Sequence, residues 1–365
     1  DPVRRIGSDL RPAGRVDGHP QRLAANAGIA YIGSYVLGMG FTLSEAEARA
    51  MIDADPRNVD VLFPYLNGKD LNQSPTQAPG RWVINFFDWS EDKAATYVLP
   101  YEQVERLVKP ERTRRKADGT FALRKPMPQK WWIYAEKRPA LYRAIANLDR
   151  VLGIALTSNT LQPTRIVLPC VVDQTIVVFS SDELWMLGLL SSSVHGEWVR
   201  IRSGTLGKGS RYIQTDCFET FPFPAEPVQL GEAAETLERS RRCVGQFRGA
   251  ALTATYNAFN DVSDMDDDVV ALRQAHVALD RVVLHAYGWG DLDPDHGFYD
   301  TEQGVRFTME PSVTVEVLDR LLELNHERYA HEVARELHGK QANQGRRKPK
   351  KGTDDGGGGS EKLFV

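Results

Sequence analysis

The chain has 365 residues, enough for one large domain or two ordinary ones, with the 42% hydrophobic and 26% charged content of a globular protein. No apolar run reaches the length of a bilayer span and no secretory signal opens the sequence. The three cysteines (Cys170, Cys217, Cys243) are too far apart for a CxxC zinc site or a disulfide framework, so a cytoplasmic protein without a membrane partner is expected.

The first 28 residues mix Arg, Pro and Gly without periodicity and are read as a linker. Residues 29–43, "IAYIGSYVLGMGFTL", are β-like. Ser44 and Glu47 have capping-box spacing and open a helix that stops at Asp55-Pro56. "VDVLFPYL" (59–66) leads into a turn, "NGKDLN", and "RWVINFFDW" (81–89) reads as a strand. Residues 100–116 are expected to be helical and 117–130 a loop. "QKWWIYAEKRP" (129–139) is expected to begin as a strand and to become a helix at "RPALYRAIANL". "VLGIALTS", "TRIVLP" and "QTIVVFS" are three further strands. "SDELWMLGLLSSSVHGEWVR" is the next helix, capped by Ser181 or Asp182. A glycine-rich basic loop, "IRSGTLGKGSRYIQ", follows it, and "FETFPFP" closes the unit. Beyond residue 228 come three amphipathic helices; in one of them Val269, Leu272, His276, Leu279 and Val283 keep helical spacing. The tail, with "GGGGS", has a disordered composition. The expected division is a linker at 1–28, an α/β region at 29–226, a helical region at 228–338 and a tail at 339–365.

Signals of self-contained catalysis are missing. There is no GxSxG, HExxH or Walker sequence, "GTLGKGS" (204–210) lacks phosphate-loop spacing, and "GSYVLGMGF" lacks that of a dinucleotide loop. The histidines show no metal-ligand spacing. His195 is read as structural, and His276 and His285 as core or surface residues. Asp264, Asp266, Asp267 and Asp268 lack the alternation of a calcium loop and are read as a solvated flank at a helix N-terminus.

Charge is unevenly spread along the chain. The formal net charge is −4, yet residues 106–150 carry thirteen Lys or Arg against four acids, a local asymmetry suited to a polyanion. Three stretches qualify as nucleic-acid contacts. In the first, Lys130, Lys137 and Arg138 would line a duplex, with Trp132 and Tyr134 helping to hold the backbone by their polar ends. The alternative packs Trp131, Tyr134 and Leu141 into the core. In the second, Arg200, Arg202, Lys208, Ser210 and Arg211 surround glycines that permit close approach to a phosphate or a guanine edge. The third offers Asn67, Lys69, Asn72 and Gln73; amides suit adenine, although a turn explains "NG" equally well.

Taken in order, "VLFPYLNGKDLNQSP", "RWVINFFDW", "VKPER", "WWIYAEKRPALYRAI" and "LLSSSVHGEWVR…RYIQTDCFETFPFP" resemble one family. It is the C-terminal target-recognition region of large adenine-specific DNA methyltransferases, found in fused restriction–modification enzymes and in phage-defence systems of the BREX and DISARM kind. The later "LRQAHVALDRVVLHAYGW…GVRFT…VLDRLLELNHERY" resembles the helical segment that follows it there. The resemblance implies an α+β (mixed α/β) DNA target-recognition domain followed by a helical domain. It implies double-stranded DNA as partner, together with a methyltransferase core and other defence-system proteins. The family's glycine-rich S-adenosylmethionine loop and Asn-Pro-Pro-Tyr motif are not found. The chain is therefore expected to be non-catalytic and to hold no cofactor or metal, with S-adenosylmethionine belonging to a core elsewhere. The competing reading is a protein-interaction module of a defence complex without direct DNA readout.

Overall fold

Ala30–Ile32, Ile176–Phe179, Arg150–Ala155 and Thr164–Val167 pair antiparallel in that order, as a computed structural model shows for a chain described over residues 16, 18–202, 204–206, 209–225 and 227–338. The first fifteen residues of the expected linker, Lys208, and the tail from 339 lie outside the described residues. Ile176–Phe179 is buried along its whole length, because this sheet is covered on both faces. A second sheet runs Thr42–Leu43, Arg81–Ile84, Leu62–Leu66 and Val171–Val172, its last pair parallel. The segment "VVDQTIVVF" supplies a strand to each sheet and joins them. At that junction Ser34 bridges Asp173, and a Cβ on Gly33 would lie 2.2 Å from the Asp173 carbonyl oxygen, so only glycine fits.

Behind the sheets come the helices Leu184–Ser191 and Ser193–Arg202, then Gly231–Arg248, Leu252–Phe259, Asp267–Ala286 and Pro311–Ala334. This is the expected mixed α/β region with a helical region after it. Val269, Leu272, Leu279 and Val283 are fully buried, as their spacing required. The apolar cluster they belong to also contains Leu189, Val194, Trp198 and Phe221, so one core runs across residue 227. The last helix also grips the start of the described chain. Asn325 Oδ1 accepts from the Gln21 N–H at 2.7 Å while its Nδ2 donates to the Gln21 and Thr220 carbonyls. The Glu332 carboxylate accepts from the Ala24 and Ala25 N–H groups at 2.7 and 3.0 Å.

Several local expectations change. Ser44 and Glu47 do form the capping box of helix Glu45–Ala54. "NGKDLNQ", however, is a helix, Gly68–Gln73, capped reciprocally by Asn67 and Asp70, because an Asn followed three residues on by an acid caps a helix as readily as it makes a turn. The strand at 81 ends at Ile84. The helix at 184 starts after Glu183 without a side-chain cap, and Ser181 Oγ accepts from the Glu183 N–H outside the helix. The run expected as one helix breaks at Ser192, which is extended and whose Oγ accepts from the His195 N–H at 3.2 Å. Asp264, Asp266 and Asp268 are not a freely solvated flank, because they surround the Arg248 guanidinium.

Residues 131–134 form no strand. They are organised by Arg112, 1% exposed, which donates to the carbonyls of Val36 (2.7 Å), Leu37 (2.6 Å), Trp131 (3.3 Å) and Ile133. Burial pushes its guanidinium down to about 10, still protonated at neutral pH. A fixed fork of five donors suits this task, since each buried carbonyl would otherwise lack a partner. Arg112→Met keeps the length and removes the donors. It is expected to cost on the order of 3 kcal/mol or more, read as a lowered urea midpoint; an unchanged midpoint would contradict this account.

Candidate nucleic-acid interface

A cleft of about 340 Å³ opens between the α/β region and the helical region. One side is made by the end of helix Gly68–Gln73 (Asn72, Gln73) and by residues 157–162, which follow the buried strand Arg150–Ala155. The rest of the lining comes from one face of helix Ser193–Arg202 (Ser193, Gly196, Glu197, Arg200), from Thr253–Asn260, and from the hairpin Gly297–Thr301/Gly304–Thr308. Hydroxyl and amide side chains dominate the lining.

Hydrogen bonds fix the walls. Asn72 Nδ2 donates to Ser158 Oγ at 3.3 Å, and Gln162 Nε2 to the Ser191 carbonyl at 3.3 Å. Asn260 Oδ1 accepts from the Phe307 N–H at 3.1 Å, seating the hairpin on helix Leu252–Phe259. Beneath them Asp280, fully buried, accepts from the Ser193 N–H at 2.8 Å and contacts His296 Nε2 at 2.7 Å. His276 Nε2 meets the Tyr256 hydroxyl at 2.8 Å. Burial drives His276 down to about 4 and Tyr256 up to about 12, so both stay neutral at neutral pH. Four buried polar atoms of the lining residues have no partner among the described residues: Gln162 Oε1, Ser191 Oγ, His296 Nδ1 and Arg306 Nε. An orphaned donor or acceptor costs free energy unless a ligand or solvent meets it, so the cleft is suited to a polar occupant.

The structure brings two of the three candidate stretches together. Ser158 pairs with Ser210 and Thr157 with Arg211, so the strand Gly209–Arg211 lies beside the loop that Asn72 contacts. Arg200 lines the cleft with Glu197 as its ion-pair partner; the Arg202 guanidinium sits 5.0 Å from the centre of the Trp198 ring. Ser210 is buried, and Arg211 is exposed. Asn67 is committed to capping through its Oδ1, while Lys69 is exposed in the first turn of the same helix.

The stretch around Lys130, Lys137 and Arg138 does not line the cleft. Lys130 and Lys137 both face Asp88, and Arg138 faces Glu136 and donates to the Gly33 carbonyl. Trp132 and Tyr134, expected to offer polar ends to a duplex, are each 6% exposed. The Trp132 indole donates to the Trp89 carbonyl at 3.0 Å and the Tyr134 hydroxyl to the Ile84 carbonyl at 2.7 Å. Buried aromatics of this kind need a partner for the polar atom, and the backbone supplies it. His195 is structural, between the Leu190 carbonyl and the Tyr212 hydroxyl, with burial holding it near 4. Sequence reasoning passed over Asn159, Gln162, Gln303 and Arg306, all in the cleft lining. The polar run "TSNTLQ" directly after a buried strand was the available signal for the first two.

Three similarities bear on this cleft. The family described as "MmeI, target recognition domain" matches residues 24–225. DNA methyltransferase A of Bacillus subtilis (strain 168) is 28% identical over 125 residues, which is 34% of this chain and 13% of that protein. The solved structure of the Type IIL restriction-modification enzyme MmeI in complex with DNA superposes with a TM-score of 0.65 at 18% identity, a likeness of fold covering 90% of this chain and 39% of that one. The chain thus spans well under half the length of either protein.

His195 and His276 both have native values near 4 against an ordinary 6.5. The unfolded chain takes up these protons first, so the stability they contribute is complete above about pH 6.5 and is lost as pH falls toward about 4. The urea midpoint is expected to drop between about pH 7 and about pH 5. His276→Gln should lose less over that interval than the parent; an identical drop would remove His276 from the account.

Proposed function

We propose that this chain, which belongs to the MmeI target recognition domain family, reads a short duplex DNA sequence as the specificity part of an adenine-N6 DNA methyltransferase in restriction–modification or phage defence. The observation that carries the reading is the convergence of Asn72, Asn159, Gln162 and Arg200 on one polar cleft with unpartnered buried atoms, in a chain of that family. Amides and guanidinium groups match the donor and acceptor pattern of base edges in the major groove. The exposed Arg211, on the strand beside the cleft loop, suits the phosphate backbone, which sets affinity and register without reading sequence.

Methyl transfer is assigned to no residue of this chain. In this proposal a separate catalytic core, in the same parent chain or another subunit, holds S-adenosylmethionine and extrudes the target adenine from the stack. The helical region then supports the reading cleft, since the two share one apolar core.

The test is fluorescence anisotropy with random duplex DNA across a salt series of roughly 50–200 mM. Arg211→Ala is expected to weaken all sequences alike and to flatten the log–log slope by about one. Lys137→Ala is expected to change the slope less, because Asp88 already compensates that charge. Selection from a randomised duplex pool gives a second readout. Asn72→Ala or Gln162→Ala should relax preference at a single base pair by about 1–3 kcal/mol. A folded chain that binds no duplex at any salt concentration, alone or with a methyltransferase core, would favour a protein-interaction module instead.

A further inference from the structure

We propose that Arg306, together with Arg200, holds one backbone phosphate of DNA in the cleft, which makes the hairpin Gly297–Thr308 of the helical region a second wall of the interface. The inference rests on the DNA reading above and adds a site to it.

Arg306 comes from the second strand of that hairpin, more than a hundred residues after Arg200, and both line the cleft. Their positive charges act on each other: Arg306 is held below its ordinary value by burial first and by Arg200 second. Glu197 compensates one charge only, since it pairs with Arg200 and accepts from Thr308 Oγ1 at 3.4 Å. Among the described residues no carboxylate pairs with Arg306. One of its terminal nitrogens donates to the Gln303 carbonyl at 3.3 Å, and its buried Nε has no partner.

The hairpin is held in place around this side chain. Thr301 Oγ1 donates to the Gly304 carbonyl and accepts from the Gln303 N–H, and the Phe307 N–H is tied to Asn260. Two guanidiniums against one carboxylate leave a net positive charge beside an orphaned N–H donor, in a cleft lined mainly by hydroxyl and amide side chains. An oxyanion supplies both the missing charge and the missing acceptor. Guanidinium matches a phosphate in two parallel hydrogen bonds, and a phosphodiester is the anion that a duplex in this cleft brings with it.

The experiment compares the full chain with Arg306→Gln, Arg306→Lys, Arg200→Gln and the double Gln variant, using random duplex DNA across the same salt series. Thermal melts serve as the folding control. The expected result for Arg306→Gln is weaker binding of roughly tenfold at low salt, a slope shallower by about one, and unchanged base preference. Arg306→Lys should recover the slope but not the full affinity. The double variant should lose less than the sum of the single losses, because both side chains serve one phosphate.

A slope for folded Arg306→Gln equal to that of the parent, with the parent binding normally, would overturn this inference and leave the DNA reading standing. No binding by the folded parent, alone or with a methyltransferase core, would remove both. Inorganic phosphate raising the melting temperature of the parent but not of Arg306→Gln, with the DNA slope unaltered, would identify a free-phosphate site and overturn the DNA assignment.

Discussion

The carboxylate of Asp280 is the constraint on which the cleft depends. It is fully buried in the long helix Asp267–Ala286, where it accepts from the Ser193 N–H and contacts His296. Those two partners stand at the start of helix Ser193–Arg202 and just before the hairpin Gly297–Thr308, so one side chain sets three cleft elements against each other. Removing a partner of a buried carboxylate leaves an acceptor oxygen unsatisfied, which costs more than losing a hydrogen bond at the surface. Glu197, Arg200 and Arg306 take their positions from elements that this contact aligns.

Arg112 plays the same part in the α/β region by opposite means. A cation whose hydrogen bonds go to backbone is enclosed by four carbonyls, which ties residues 36–37 to residues 131–133. The two tryptophans of "QKWWIYAEKRP" therefore belong to the core, while Lys130 and Lys137 stay outside it on Asp88. Dense aromatics and dense charge coexist there because buried backbone carbonyls, not a nucleic acid, receive the indole and phenol polar ends. The basic balance of residues 106–150 thus overstates the positive surface: Arg112 is interior, and Lys130, Lys137, Arg124 and Arg138 have acidic neighbours.

Much of the architecture was legible in the sequence because it depends on local periodicity. The helix at 267–286 shows its buried stripe in Val269, Leu272 and Leu279, and the capping box at Ser44 and Glu47 is a contact three residues long. Where two local signals coincide, the sequence is ambiguous. "NGKDLNQ" holds both a turn signature and a capping signature, and the tie goes to the helix because Asn67 and Asp70 satisfy each other's backbone N–H groups. The break at Ser192 escaped notice because "LLSSSV" reads equally as a continuous helix.

The candidate site was legible only in pieces. Asn72, Gln73 and Arg200 could be picked out as residues of the right chemistry, but nothing in the chain order says that they share a cleft with Gln162 and Arg306. That convergence follows from the pairing of Thr157–Ser158 with Ser210–Arg211 and from the docking of the hairpin on Asn260. By itself the sequence determined most of the element types, the helical core stripes and the chemical character of the recognition stretches, since these arise from neighbours a few residues apart. Tertiary structure alone decided which charges are free, which rings are buried and which amides face one another. Burial and ion pairing are set by residues tens to hundreds of positions away, and short-range pattern carries no record of them.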